Sequence, residues 1–400
     1  MIVLFLWRMP NAPRHILPVI VFAQFTGTSL WFAGNAVVDD LILELNLLEM
    51  FVGFITMAVQ SGFIIGTLLF AFINLADRFS PVKVFLICSL AGSLANLFAI
   101  WSTSFTEIMF ARVATGFFLA GIYPVGMKIA SDWHKEGLGK ALGYLVGALV
   151  LGTAFPHFLK FTGSSFSWHS VIIGTSVLAS FGGILLFLTV KDGPHHVKNS
   201  KSKIEFGAII DLFKIPNFRS AALGYFGHMW ELYTFWAFVP VMLTYYFATN
   251  NVESINVSFW SFLIIGIGGV GCAVGGHFSI GNRSKKVAMI SLLISGLSCL
   301  IIPFSFSAPL AVFLLLMLIW GFFVIPDSPQ FSTLVAQSST SSYVATGLTI
   351  VNSLGFALTI VSIQLVNLMW SATSNPMVFL VMLIGPIFGF LAISRFKPST

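Results

Sequence analysis

Few residues in this chain can do chemistry, and those that can are spaced as parts of helices. Glu231 follows His228 by three positions in Tyr225-Phe226-Gly227-His228-Met229-Trp230-Glu231-Leu232-Tyr233, which puts imidazole and carboxylate on one helix face. Such a pair can load and release a proton; the competing reading makes Glu231 a fixed partner that locks two helices together. Trp230 and Tyr233 flank it as candidate substrate contacts. Arg112, in Arg112-Val113-Ala114-Thr115-Gly116, offers a planar fork able to hold a carboxylate or phosphate through two parallel hydrogen bonds, or an acidic side chain instead. Asp327 and Gln330 sit in Ile325-Pro326-Asp327-Ser328-Pro329-Gln330, where two prolines release backbone carbonyls that need partners in protein or water. Asp327 is expected either to meet substrate or to act as a solvated gate. Gln24, Trp31 and Asn35 share roughly one helix face and can line a polar cavity, although Trp31 and Asn35 also suit an interfacial belt.

The elements that hold these residues must lie in lipid. Of 400 residues 57% are hydrophobic and 8% charged, against about a quarter charged in soluble chains, so a water-facing surface could not be covered. Apolar blocks of about twenty residues, the length that crosses roughly 30 Å of hydrocarbon as helix, give twelve predicted spans: 16–38, 50–74, 83–102, 106–130, 139–161, 167–190, 219–248, 256–279, 286–305, 308–333, 342–369 and 374–395. The first residues, Met1 to Trp7, are too short for a signal-peptide core. With the N-terminus in the cytoplasm, eighteen of the twenty Lys and Arg residues fall on the cytoplasmic side, all but Arg112 and Lys160. The opposite loops carry Asp39, Asp40, Glu44, Glu49, Glu107 and Glu253, as the positive-inside rule requires. The expected fold is therefore an all-α membrane protein with both termini cytoplasmic, in a bacterial inner membrane.

One long polar stretch, 191–218, divides the chain into 1–190 and 219–400, each with six spans. The halves echo one another: Gly116-Phe117-Phe118 followed by Tyr123-Pro124 in span four answers Gly321-Phe322-Phe323 followed by Ile325-Pro326 in span ten. Two pseudo-symmetric six-helix bundles with a site between them near midplane is the expected architecture. The deep ionisable residues fall on spans four, seven and ten, as they would if one helix in three lined a central passage. Lys128, near the inner end of span four, can snorkel to the headgroups.

Several chemistries are excluded or disfavoured. The net charge of +6 is explained by topology, without the aromatic-interleaved basic face of a nucleic-acid binder. His195-His196 in the basic connector has no further ligand for a metal, and Cys88, Cys272 and Cys299 lie inside apolar blocks as small core residues. Gly266-Ile267-Gly268-Gly269-Val270-Gly271 matches a dinucleotide fingerprint literally, but it lies inside span eight, where glycines permit close helix packing. There is no HExxH, P-loop or GxSxG, so neither an enzyme nor a cofactor is expected.

These features resemble the major facilitator superfamily over essentially the whole chain. The span two to three loop, Ala76-Asp77-Arg78-Phe79-Ser80-Pro81-Val82-Lys83, is similar to that family's cytoplasmic signature, with Phe79-Ser80-Pro81 where a glycine and further basic residues are expected. Ser131-Asp132-Trp133, Glu136-Gly137 and Lys140-Ala141-Leu142-Gly143 resemble the span four to five loop of anion porters. The resemblance implies that spans one, four, seven and ten line the pathway, that Asp77 and Arg78 serve conformational gating, and that the protein is a monomer. The nitrate/nitrite and organic-anion branches are nearest. Nitrate porters hold their anion with arginines in spans two and eight, and neither 50–74 nor 256–279 contains one, which argues against nitrate. Gly143, Gly147, Gly152 and Pro156 resemble, imperfectly, the exporters' antiporter motif. The function implied is proton-coupled symport of a small solute, expected to be an organic anion, bound by Arg112, Gln24, Trp31, Asn35, Trp230, Tyr233, Asp327 and Gln330. Efflux of amphipathic compounds is the alternative, and a membrane sensor without transport a third.

Overall fold

The computed structural model describes residues 13–47, 51–73, 75–134, 138–163, 167–196, 206–252, 255–279, 283–339 and 343–397, and among these every regular element is a helix. In chain order they are α1 (Ile16–Thr28), α2 (Phe51–Phe72), α3 (Pro81–Phe98), α4a (Phe105–Leu119) and α4b (Tyr123–Trp133), α5 (Leu138–Thr162), α6 (His169–Thr189), α7 (Pro216–Thr249), α8 (Val257–Phe278), α9 (Ser284–Ile301), α10a (Leu310–Phe323) and α10b (Ser328–Ser338), α11 (Val344–Thr373), and α12 (Ile384–Ser394) preceded by a 3₁₀ stretch over Pro376–Leu383. Short helices Ala33–Ala36, Val38–Glu44, Leu75–Arg78 and Phe206–Lys214 lie between them.

Among the described residues ten helical segments are long and apolar enough to cross a membrane. The other two predicted spans fall short for different reasons. α7 has 34 residues, but its His, Glu, Trp and Tyr residues dilute its hydropathy. α1 has only 13, because the continuous span expected over 16–38 breaks at 29–32. The break needs no proline. Thr28 and Ser29 turn their hydroxyls back onto the carbonyls of Gln24 and Thr26 at 2.8 and 2.6 Å, a local bond that competes with the helical ladder. Spans four and ten break as well, each with a proline at the start of its second half, Pro124 and Pro329; proline tolerates a first helical turn and ends the helix before it.

Packing repeats along the chain. α1 lies against α5 and α6, α2 against α4a, and α3 against α4a and α6; six helices on, α7 lies against α11 and α12, α8 against α10a, and α9 against α10a and α12. The most extensive joints between the first six helices and the last six are α5 with α8 and α2 with α11, and the same six-helix shift exchanges them.

Glycines set the closest crossings. A Cβ on Gly62 would stand 1.9 Å from the Val113 carbonyl oxygen, and one on Gly116 2.0 Å from that of Val59. In α8 and α10a, Gly271 and Gly321 repeat the arrangement at 2.2 and 1.9 Å from the oxygens of Phe322 and Ile264. The glycine run of span eight is thus a packing surface. Gly116→Ala or Gly321→Ala must push two backbones apart, which overpacking data put at about 1–3 kcal/mol. Thermal unfolding in detergent is expected to show a drop of several degrees for each, whereas Gly143→Ala, with nothing within 4 Å of the added methyl, leaves the transition unmoved.

Candidate functional site

The break in α1 organises one side of the site. Leu30 and Trp31, outside any helix, leave carbonyl oxygens without a ladder partner, and the Arg112 fork takes both, its Nη2 donating to each at 2.8 Å. Nη1 donates to Asn96 Oδ1 at 2.6 Å. The Asn96 amide in turn donates to Thr175 Oγ1 and Ser176 Oγ at 3.2 and 2.9 Å. One buried guanidinium therefore ties α1, α3, α4a and α6 together. Its Nε is buried without a partner, and none of its observed partners is acidic. A Cβ on Gly34 would stand 2.6 Å from Ile55 Cδ1 and 3.1 Å from that nitrogen, so the bare glycine is what lets the chain pack against both.

On the other side stand the two carboxylates of α7 and the α10 break, both buried. Glu231 Oε1 accepts from Trp320 Nε1 at 2.7 Å and from Cys299 Sγ at 3.2 Å, while Oε2 accepts from Ser295 Oγ at 3.0 Å. His228 does not turn to Glu231, as the three-residue spacing suggests; its Nδ1 is 2.9 Å from Asp327 Oδ1. The reason is the α10 break, which brings Asp327 onto α7 just before the first turn of α10b. The two carboxylates thus have separate surroundings, one held by neutral donors from α9 and α10a and one lying against an imidazole without hydrogen-bond geometry. His228 Nε2 meets no partner.

Between these poles lies an aromatic cage of mutually packed rings contributed by the first six helices and the last six. Trp31 sits 4.7, 5.7 and 5.6 Å from the ring centres of Phe63, Tyr233 and Phe356. Phe63 and Phe356 are 4.5 Å apart, and Tyr233 is 5.1 Å from both Phe356 and Trp236. Most of these rings meet tilted, with Trp31–Phe356 stacked and Tyr233–Trp236 edge-on, all at centroid distances where aromatic pairs attract. Buried polar atoms without any partner gather on the same helices: both ends of the Gln24 and Gln60 amides, Trp31 Nε1, Asn35 Oδ1, Trp236 Nε1 and Ser353 Oγ. Asn35 uses its other end on Thr56 Oγ1, at 2.6 Å. In a membrane bundle a polar atom left unpaired is costly, and water or a ligand is what satisfies it.

Of the residues singled out from sequence, Arg112, Trp31, Asn35, Tyr233, Glu231, His228 and Asp327 all belong to this central assembly. Gln330, one turn beyond Asp327, is buried, and Gln24 lies deeper in the first half, its Oε1 against Gly126. Trp230 is the exception. Its Nε1 donates to the Val381 carbonyl at 3.0 Å, so it braces α7 on the 3₁₀ stretch before α12 and faces away from the cage. Cage members Phe63 and Phe356, the clamp residue Asn96, and His157 of α5, buried with its Nε2 unpartnered, were not distinguishable in the sequence.

At the basic end, Lys128, expected to snorkel to the headgroups, pairs with Asp132. Asp132 also lies 3.2 Å from His196 Nδ1, and Ser80 Oγ donates to Asp192 at 2.8 Å, so the start of the connector is strapped across α3 and α4b. Among the described residues no cluster fit for a metal occurs. Lys160, on the opposite side, pairs with Asp40 at 2.8 Å. Arg78 is exposed beside the Phe79 ring. The side chain of Asp77, and Glu49, Lys135, Glu136, Gly137, Lys198, Lys201, Lys203 and Glu253, lie outside the described residues.

The chain is 22% identical over 219 residues to the nitrate/nitrite transporter NrtP of Picosynechococcus, a match covering 46% of this chain and 40% of that protein, so it spans less than half the length of that relative. In three dimensions it is similar to the proton:xylose symporter XylE, with a TM-score of 0.75 at 13% identity, covering 96% of each chain. It is also similar to the human organic anion transporter MFSD10, with a TM-score of 0.72 at 13% identity, covering 96% of this chain and all of that one. Residues 19–363 match the family model of the Major Facilitator Superfamily, and the chain belongs to that family.

Proposed function

We propose that the protein is a proton-coupled secondary transporter of a small organic anion. The unpartnered polar atoms around an aromatic cage drawn from the first six helices and the last six carry this reading. They are groups prepared for a solute with a polar head and a flat or apolar body. Trp31 links the two, since its carbonyl accepts from Arg112; an anionic head at Arg112 and a body against Trp31, Tyr233 and Phe356 would belong to one molecule, admitted when these contacting rings part. Arg112 has a counter-charge to gain from such a ligand.

Two six-helix halves, 1–190 and 219–400, rock about this site on the connector 191–218, in twelve spans with both termini in the cytoplasm of a bacterial inner membrane. Protons enter at Glu231 and the His228–Asp327 pair, and the monomer is the working unit. Asp77 and Arg78 gate the cytoplasmic side. Gln330 completes the site from α10b.

Export of amphipathic compounds is a second reading, favoured by the cage, which would suit a planar cation as well. Arg112, with no acidic partner among its contacts, opposes a cation. Phe356→Ala, which removes one wall of the cage, is expected to raise KM for the carried solute by roughly three- to tenfold, the worth of one aromatic contact. Uptake into proteoliposomes across a panel of aromatic and aliphatic carboxylates checks both points: if aromatic carboxylates are not preferred, or Phe356→Ala leaves every KM unchanged, the cage is not the binding surface.

A further inference from the structure

Two lateral cavities of similar size open on the flanks of the bundle, away from the central site. One, of about 470 Å³ between α1, α5 and α8, is lined by no charged residue. The other, of about 440 Å³ between α9 and α12, has Arg283, Lys285 and Lys286 at one end and Met289, Ile290, Leu293 and Phe390 as its walls, with no acidic residue in its lining. Lys285 is already occupied: its Nζ donates to the carbonyls of Ser394 and Phe396 at 2.9 and 2.6 Å and ties the end of α12 to α9. Arg283 and Lys286 are exposed, and neither forms an ion pair among the described residues. From Lys286 the positions Ile290, Leu293, Leu297 and Leu300 follow at helical spacing, the four leucine and isoleucine side chains each 42–51% exposed. That makes a track of about 20 Å at 1.5 Å per residue.

A cationic end that opens onto an apolar track in a membrane has the shape and charge order of a phospholipid with an anionic headgroup. We propose that the α9–α12 cavity binds one such lipid, its phosphate at Arg283 and Lys286 and an acyl chain along Ile290, Leu293 and Leu297. Because Lys285 fixes α12 to α9 at the same end, the lipid bridges two helices of the C-terminal half at their basic termini.

The test uses the full chain in nanodiscs of phosphatidylcholine with and without phosphatidylglycerol. Native mass spectrometry counts retained lipid, and thermal unfolding follows stability. Phosphatidylglycerol is expected to be retained over phosphatidylcholine and to raise the melting temperature by a few degrees. The Arg283→Gln/Lys286→Gln variant is expected to unfold with the wild type in pure phosphatidylcholine and to lose the preference by roughly tenfold or more, since each basic residue contributes about the attraction of one near-surface cation. Ile290→Trp, which fills the cavity and keeps both cations, is expected to lose it too. The proposal is overturned if the wild type shows no preference, if either variant keeps it, or if inorganic phosphate alone in phosphatidylcholine reproduces the stabilisation, which would assign the cations to a free anion.

Discussion

Arg112→Gln is expected to be the most damaging single polar substitution in the chain. The guanidinium satisfies three buried oxygens on two other segments, the Leu30 and Trp31 carbonyls and Asn96 Oδ1, and a shorter amide can reach at most one of them. Buried acceptors left without donors cost about 1–3 kcal/mol each, and effects within one network do not add, so a loss of about 3–5 kcal/mol is expected. The broken stretch 29–32 then loses its anchor, and Trp31 with it. Melting temperature in detergent should fall by ten degrees or so, and uptake should vanish. Arg112→Lys separates the two roles of this residue. A single ammonium keeps the charge but cannot span the three oxygens, so it should be nearly as unstable as the Gln variant while recovering part of the affinity for an anionic solute. If Arg112→Lys is as stable as the wild type, the clamp is not what holds α1 broken.

Glu231→Gln is expected to uncouple transport while leaving the fold intact. The amide oxygen can still accept from Trp320 and Cys299, and the Ser295 hydroxyl, now opposite an NH₂, can turn to accept. The melting temperature should stay within a few degrees of the wild type. A glutamine cannot carry a proton, so concentrative uptake against a gradient should be lost and solute exchange kept. Asp327→Asn should behave alike, with the added loss of the imidazole's charge partner. Loss of exchange together with a large fall in melting temperature would mean instead that Glu231 locks α7 to α9 and α10a.

Much of this was legible in the sequence, because lipid punishes polar residues that have no task. A carboxylate twelve or so residues into an apolar block, or an arginine inside one, stands out from hydropathy alone. What was not legible depends on contacts between distant segments. His228 and Glu231 share a helix face by spacing, yet the partner of His228 arrives from the α10 break, which spacing within α7 cannot reveal. Trp230 and Tyr233 both lie within two residues of Glu231 in sequence, but the 3₁₀ stretch before α12 claims one and the cage the other. Phe63 and Phe356 are two of 43 phenylalanines, and nothing local marks them as a facing pair. The break in span one is written only in the hydroxyl residues Thr28 and Ser29, weak signals beside the prolines at the breaks in spans four and ten. Asn96 reads as one polar residue in an apolar helix until Arg112 is beside it.

The most direct test of the central claim is proton movement in proteoliposomes loaded with a pH dye and challenged with organic anions and cations, wild type beside Glu231→Gln. Proton-coupled anion symport predicts that one class of carboxylate acidifies the lumen through the wild type and not through the variant, while that variant still exchanges labelled solute. Acidification that is equal in both, or proton movement driven only by amphipathic cations, would contradict it.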